Sequence, residues 1–232
     1  MIRWTQLAAA TVPDDGGELR LMQRGEEFSI MSGSIELMNS RVSGSEEALA
    51  TLVSARLGDV PAPHVLIGGF GMGFTLRAAL ASLGPKARLT VAELVPAVVA
   101  WARGPMARLT ADCLDDPRVR IVEGDVARLI GAAEGVYDAI LLDVDNGPEG
   151  LSRAANDRIY DAAGLNAARR ALRPGGILAV WSSSPSPAFN QRLRKAGFQV
   201  EEHRVRARRP GGGARHMIWL AASVAIQKFA DR

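Results

Sequence analysis

Downstream of residue 60, short apolar runs alternate with amphipathic stretches, separated by turns rich in Gly and Pro. The runs are strand-length: His64–Gly68, Arg88–Leu94, Val119–Glu123, Tyr137–Asp143 and Gly176–Trp181. Each precedes a helical pattern, at Thr75–Leu83, Pro96–Arg103, Val126–Ala132, Asn156–Leu172 and Pro187–Ala196. Strand patterns that alternate with helices across short turns predict a parallel sheet covered on both faces. Arg173-Pro-Gly-Gly176 supplies the stop after the fourth of these helices. Gln199–Val205 and His216–Val224 flank a Gly-rich loop and read as an antiparallel pair. The expected fold is α/β, a seven-stranded, mostly parallel sheet ending in a C-terminal hairpin.

The first 45 residues follow another pattern. Leu19–Gln23, Glu27–Met31 and Ser34–Met38 are short extended segments broken at Gly25 and Gly33, which predicts a small β-meander. Ser45-Glu46-Glu47 offers an N-cap and an acidic first turn to a helix running through Ala55. The Pro-rich Asp59–Pro63 links it to the first core strand. The chain therefore divides into a meander, residues 1–45, and an α/β domain, residues 46–232.

Composition narrows the class. With 47% hydrophobic residues among 232, the chain can bury a sizeable core. No apolar run approaches the ~20 residues of a membrane helix. The stretch Met1–Val12 has no secretory-signal pattern. Cys113 is the single cysteine, which excludes an internal disulfide and a cysteine cluster for zinc. These features predict a cytoplasmic protein. The charge of +3 concentrates in Arg204, Arg206, Arg208, Arg209 and Arg215. With 5% aromatic residues and none interleaved there, this cluster reads as a solvated hairpin face rather than a nucleic-acid surface.

The candidate chemistry sits at strand ends, where open α/β sheets bind ligands. Val65-Leu-Ile-Gly-Gly69 opens into Gly69-Phe70-Gly71-Met72-Gly73, a G-x-G-x-G turn before a helix. Glycine lets such a turn bend sharply and bring backbone close to a ligand. Glu93, about 20 residues on, has the spacing of a carboxylate that accepts from ribose hydroxyls. Asp125 follows the third strand, where it suits both an exocyclic amine and the cap of the next helix. Asp143-Val-Asp145-Asn146 crowds two carboxylates and a carboxamide at the fourth strand end, and turn formation alone does not require both acids. Ser182–Ser184 lacks the surroundings of a nucleophile. His64, His203 and His216 lack metal-ligand spacing, and Trp101, Trp181 and Trp219 read as packing residues.

Between about Gly33 and Ala188 these residues resemble spermidine synthases and, more widely, class I AdoMet-dependent methyltransferases. Gly69-Phe-Gly-Met-Gly-Phe-Thr75 stands where the aminopropyltransferases carry Gly-Gly-Gly-Asp-Gly-Gly-Thr. Glu93 falls on the ribose-binding acid, Gly124-Asp125 on the adenine-side pair, and Tyr137–Asp143 on a Tyr-Asp-x-Ile-Ile-x-Asp strand. The resemblance implies a Rossmann-like methyltransferase fold, a homodimer, and S-adenosylmethionine or its decarboxylated form as co-substrate, without a metal. It places the donor against the turn Gly69, Phe70, Gly71, Met72 and Gly73, against Glu93 with Leu94, and against Gly124, Asp125 and Val126. It gives catalytic positions to Asp143, Asp145 and Asn146, with a small-molecule acceptor of amine type.

The departures cluster on the acceptor side. Met72 replaces a glycine-loop Asp, Asn146 replaces the catalytic base, Ser45 and Glu46 replace a Tyr-His pair, and Glu36 replaces a Gln. Asp145 is the nearest replacement base, if the loop shifts by one residue. Aminopropyl transfer, methyl transfer to another acceptor, and donor binding without catalysis all fit this pattern. The turn form and the terminal hairpin argue against an NAD-type Rossmann enzyme.

Overall fold

The computed structural model describes residues 2–13, 17–144, 147–148, 158–208 and 213–223. The chain opens with an antiparallel sheet of β1 (Thr5–Thr11), β2 (Glu18–Arg24), β3 (Glu27–Ser32) and β4 (Ile35–Asn39), paired in sequence order. The sequence pattern predicts three of these strands and misses β1. Its Thr-Gln-Leu-Ala-Ala-Ala-Thr segment is alanine-rich and mostly exposed, so neither propensity nor alternation marks it. Pairing with β2, across an irregularity between Gln6 and Ala8, makes it a strand.

The helix α1 (Gly44–Leu57) leads into the larger sheet. Its strands are β5 (His64–Gly68), β6 (Arg88–Glu93), β7 (Val119–Glu123), β8 (Tyr137–Leu142), β9 (Leu172–Ser182), β10 (Phe198–Arg206) and β11 (Arg215–Ser223). The spatial order is β10-β11-β9-β8-β5-β6-β7. Neighbours from β9 to β7 run parallel, while β11 is antiparallel to both β9 and β10. This is the expected α/β fold with its terminal hairpin. After β7 the chain returns to the other side of β5, so strand order reverses there. Such a switch point opens a crevice at the carboxyl ends of β5 and β8.

Helices α2 (Phe74–Ser82), α3 (Pro96–Arg103), α4 (Ala107–Thr110), α5 (Val126–Gly131), α6 (Ala162–Ala171) and α7 (Pro187–Lys195) complete the described elements. Alternation along β5 divides the core. Val65 and Ile67 join the face holding Leu49, Leu76 and, from the first sheet, Leu21 and Ile30. Leu66 points to the other face, with Ile140, Leu165 and Phe189. No described helix is long and apolar enough to cross a membrane.

Three local expectations shift. Ser43, not Ser45, occupies the N-cap of α1, and Ser45 is fully buried within the helix. The fourth crossover helix, α6, begins at Ala162, capped by Asp161 accepting from the Gly164 amide at 2.8 Å; residues 158–160 form a separate helical turn before it, and Asn156 lies outside the described residues. That helix ends before Leu172, which pairs with Tyr137 and opens β9 upstream of the Pro-Gly-Gly stop. Arg204 and Arg206 are exposed on the edge strand β10, with Arg208 and Arg215 beside them. Charges on an edge strand oppose pairing with another sheet. Arg209 lies outside the described residues.

Candidate active site

The glycine turn is fixed by backbone contacts on every side. Gly69, Gly71 and Gly73 have φ of 86°, 55° and 78°. A β-carbon on Gly69 would collide with the Asp143 carbonyl oxygen, so only glycine lets β5 and β8 end this close together. A β-carbon on Gly71 would meet Met38 of β4 at 2.6 Å, which puts the first sheet directly over the turn. The Gly69 amide donates to the Ala92 carbonyl at 2.9 Å and ties the turn to the end of β6.

Glu93 closes that corner. Its carboxylate accepts from the Phe70 amide at 2.9 Å and the Val95 amide at 2.9 Å. Burial raises its pKa, and backbone donation from Val95, Phe70, Gly71 and Leu94 opposes the rise. Two anti-parallel demands thus meet in one side chain: the carboxylate organises the turn and stays desolvated. Asp125 caps α5, accepting from the Ala127 amide at 2.8 Å through one oxygen.

Asp143 ends β8, where its amide donates to the Gly68 carbonyl at 3.0 Å. Thr75 at the start of α2 donates its hydroxyl to the Asp143 carboxylate at 2.6 Å, and lies 3.3 Å from the Glu46 carbonyl oxygen. Burial and the nearby Glu46 charge push Asp143 up to about 7, against the Thr75 hydrogen bond. Glu46 is also raised, mainly by burial, while donation from the Ser45 hydroxyl at 2.5 Å acts the other way. Ser45 in turn meets Nδ1 of His216, on β11, at 2.8 Å.

These groups surround a cavity of about 470 Å³, within the range of small-molecule sites. Its floor is the glycine turn and the ends of β6 and β8; its roof comes from the first sheet through Leu19, Ile30, Leu37 and Met38. Among the described residues four carboxylates line it, from Glu46, Glu93, Asp125 and Asp143, and no Lys, Arg or His does. A desolvated site with that balance favours a cationic occupant.

The structure brings together Gly69, Gly71, Glu93, Leu94, Gly124, Asp125, Val126 and Asp143 on one wall. Phe70, Met72 and Gly73 are not on it. Phe70 contributes its amide to Glu93, and Met72 is fully buried in the core. Asp145 and Asn146 lie outside the described residues. Glu36 is occupied by Ser29 at 2.7 Å and by Arg41 at 3.0 Å, and does not line the cavity.

Local pattern marks Ser45-Glu46 as a helix start, the resemblance marks both as acceptor-side departures, and the structure places Glu46 on the cavity. Sequence reasoning missed the cavity role of Trp181. Trp181 sits in a buried strand like Trp219, yet it lines the cavity and its indole Nε1 has no partner among the described residues. Its ring packs edge-on against His216, with centroids 4.9 Å apart.

A spermine/spermidine synthase domain model matches residues 47–195. The chain belongs to that family. It is 35% identical over 153 residues to polyamine aminopropyltransferase 1 of Streptomyces coelicolor, covering 62% of this chain and 28% of that protein. It is 36% identical over 135 residues to putrescine N-methyltransferase 4 of Nicotiana tabacum, covering 57% of this chain and 33% of that protein. The matches thus span about a third or less of these curated relatives. Spermidine synthase from Thermotoga maritima shares the fold, with a TM-score of 0.72 at 17% identity over 98% of this chain and 79% of that one. TrmN from Thermus thermophilus matches more loosely, with a TM-score of 0.54 at 22% identity over 77% of this chain and 48% of that one.

Proposed function

We propose that this family member binds S-adenosylmethionine or its decarboxylated form and transfers a group from the sulfonium centre to a small amine acceptor. The observation that carries the reading is the switch-point cavity, with four lining carboxylates and no basic lining residue among the described residues. Its residues fit an adenosyl sulfonium compound. Each carboxylate oxygen has two lone pairs, so Glu93 keeps acceptor capacity for ribose hydroxyls after its two backbone bonds. The second oxygen of Asp125 is left to accept from an exocyclic amine, and Asp143 supplies negative charge near the sulfonium. The donor itself supplies an activated carbon and a neutral thioether leaving group; the protein holds it in line with the acceptor and excludes water.

Aminopropyl transfer is the first reading, because the family match covers the core of the chain. Methyl transfer is the second. It is favoured by the burial of Met72 at the position of the aminopropyltransferase loop acid, and one group of relatives is named for methyl transfer to putrescine. Residues 1–45 form the cavity roof in this reading and residues 46–232 the catalytic domain, with a cytoplasmic homodimer as the assembly. A thermal-shift comparison of the two donors and NAD tests it. A ligand at about 100 times its Kd should stabilise the fold by ~2.7 kcal/mol. A larger response to decarboxylated S-adenosylmethionine supports aminopropyl transfer, and a larger response to S-adenosylmethionine supports methyl transfer. No response to either sulfonium compound overturns the proposal.

A further inference from the structure

Glu46 stands among the conspicuous departures from the resembling family, and the fold turns it into the cavity rather than out to solvent. Its carboxylate receives the Ser45 hydroxyl at 2.5 Å, and that hydroxyl lies 2.8 Å from His216 Nδ1. Ser45 is fully buried, so water does not compete for either bond. Thr75 joins the Glu46 backbone to the Asp143 carboxylate and holds two acids at one end of the cavity. Trp181, which also lines the cavity, packs edge-on against His216.

We infer that Glu46 is the acceptor-side base, taking the proton from the incoming ammonium, with Ser45 and His216 as the chain that orients it. This rests on the group-transfer reading above. The ammonium gives one proton to Glu46 and becomes a neutral amine. Its lone pair forms the N–C bond as the C–S bond breaks, and that electron pair leaves with sulfur as a neutral thioether. The product departs as a secondary ammonium, so charge balances. Ser45 serves both states of Glu46. Its hydroxyl donates to the ionised carboxylate and, once Glu46 is protonated, accepts from it, while the tautomer of His216 sets whether Nδ1 donates to Ser45 or accepts from it. The charged or titratable groups facing Glu46 are Glu47 on its own helix, Asp143 from β8 and His216 through Ser45. Arg77 of α2 is directed to the Leu109 carbonyl.

The test measures thioether nucleoside release, common to both transfers, with putrescine as acceptor from pH 6 to 9, alongside donor-induced thermal shifts. Glu46→Gln should lower kcat/KM at least 100-fold and remove the acidic limb of the profile, with a donor shift still present. Ser45→Ala should keep KM within about twofold and move the acidic midpoint to higher pH, because it deletes a hydrogen bond to the ionised acid. A Glu46→Gln enzyme with the wild-type profile overturns the inference, as does the same loss of the acidic limb in Asp145→Asn but not in Glu46→Gln. Wild-type protein that shifts with donor yet never transfers to putrescine overturns the amine base and leaves donor binding standing. Wild-type protein with no donor shift overturns both.

Discussion

The two ends of the cavity are built by different means. At the proposed donor end, the carboxylate of Glu93 is held by main-chain amides from the glycine turn and from Val95, and Asp125 by the first turn of its own helix. At the other end, Asp143 and Glu46 are held by side-chain hydroxyls, from Thr75 and Ser45. Main-chain donors are present whatever the side chain, so the first arrangement survives sequence drift at most of its positions. Hydroxyl donors vanish with one substitution. A fold can thus keep one ligand end constant while the other is rebuilt, which fits relatives named for two different transfers.

The sharpest way to break the donor end is Gly69→Ala. The residue has φ of 86°, and its new β-carbon would strike the Asp143 carbonyl oxygen. Left-handed strain of about 1–2 kcal/mol and overpacking of about 1–3 kcal/mol act together, because backbone on β8 has to move. Denaturant melts should show a loss of roughly 2–5 kcal/mol. A loss under 1 kcal/mol would mean that the two strand ends are not locked together.

Glu93→Ala comes next. It leaves the Phe70 and Val95 amides without their acceptor in a buried corner. At about 1–3 kcal/mol per orphaned donor, with water reaching at least one, the expected loss is roughly 2–4 kcal/mol. The donor-induced shift should disappear as well. Full stability in this variant would show that the turn holds its shape without the acid.

What the sequence revealed follows the same division. Gly69, Gly71, Glu93 and Asp125 were legible because strand, turn and carboxylate lie close together in the chain and the required φ values select glycine. The five core strands were legible for a similar reason, since each is a short, mostly apolar run bounded by turns. Glu46 and Ser45 were not, because their roles depend on partners far away: Ser45 and His216 are 171 positions apart, and Thr75 and Asp143 are 68 apart. Local pattern saw only a helix start, and the resemblance marked the two residues as departures without showing what they touch. Trp181 was hidden in the opposite way, as a buried strand residue that looks like Trp219 until the cavity is drawn around it. β1 stayed invisible because only its pairing with β2 makes Thr5–Thr11 a strand.

Asp143→Asn sharpens the contrast through pH. Asp143 is raised from 3.8 to about 7, so between those values the folded state holds a proton that the unfolded state has released. The sign then follows from proton linkage: stability falls as pH rises from about 4 toward 7, by up to about 1.4 kcal/mol per pH unit for one group. The Asn variant should lose that part of the slope while Thr75 keeps an oxygen to donate to. Above pH 7 it should be at least as stable as wild type. A cationic donor favours the ionised form of Asp143, so wild-type donor affinity should rise between pH 6 and 8 and the variant's should not. Equal slopes in melts of the two proteins would remove Asp143 from the acid pair.

The smallest effect belongs to Asp125, and it separates structure from binding at the donor end. Asp125→Ala removes the side chain that accepts from the Ala127 amide, a cap worth about 1 kcal/mol. Asp125→Ser should restore most of that stability, since serine caps nearly as well. Serine has a shorter reach and no charge, however, and cannot replace the second carboxylate oxygen that faces the cavity. If that oxygen meets an exocyclic amine, the Ser variant should melt like wild type yet respond to the donor with a shift reduced by half or more. A Ser variant with the full donor response would assign Asp125 to α5 alone and leave Glu93 as the donor end's recognising acid.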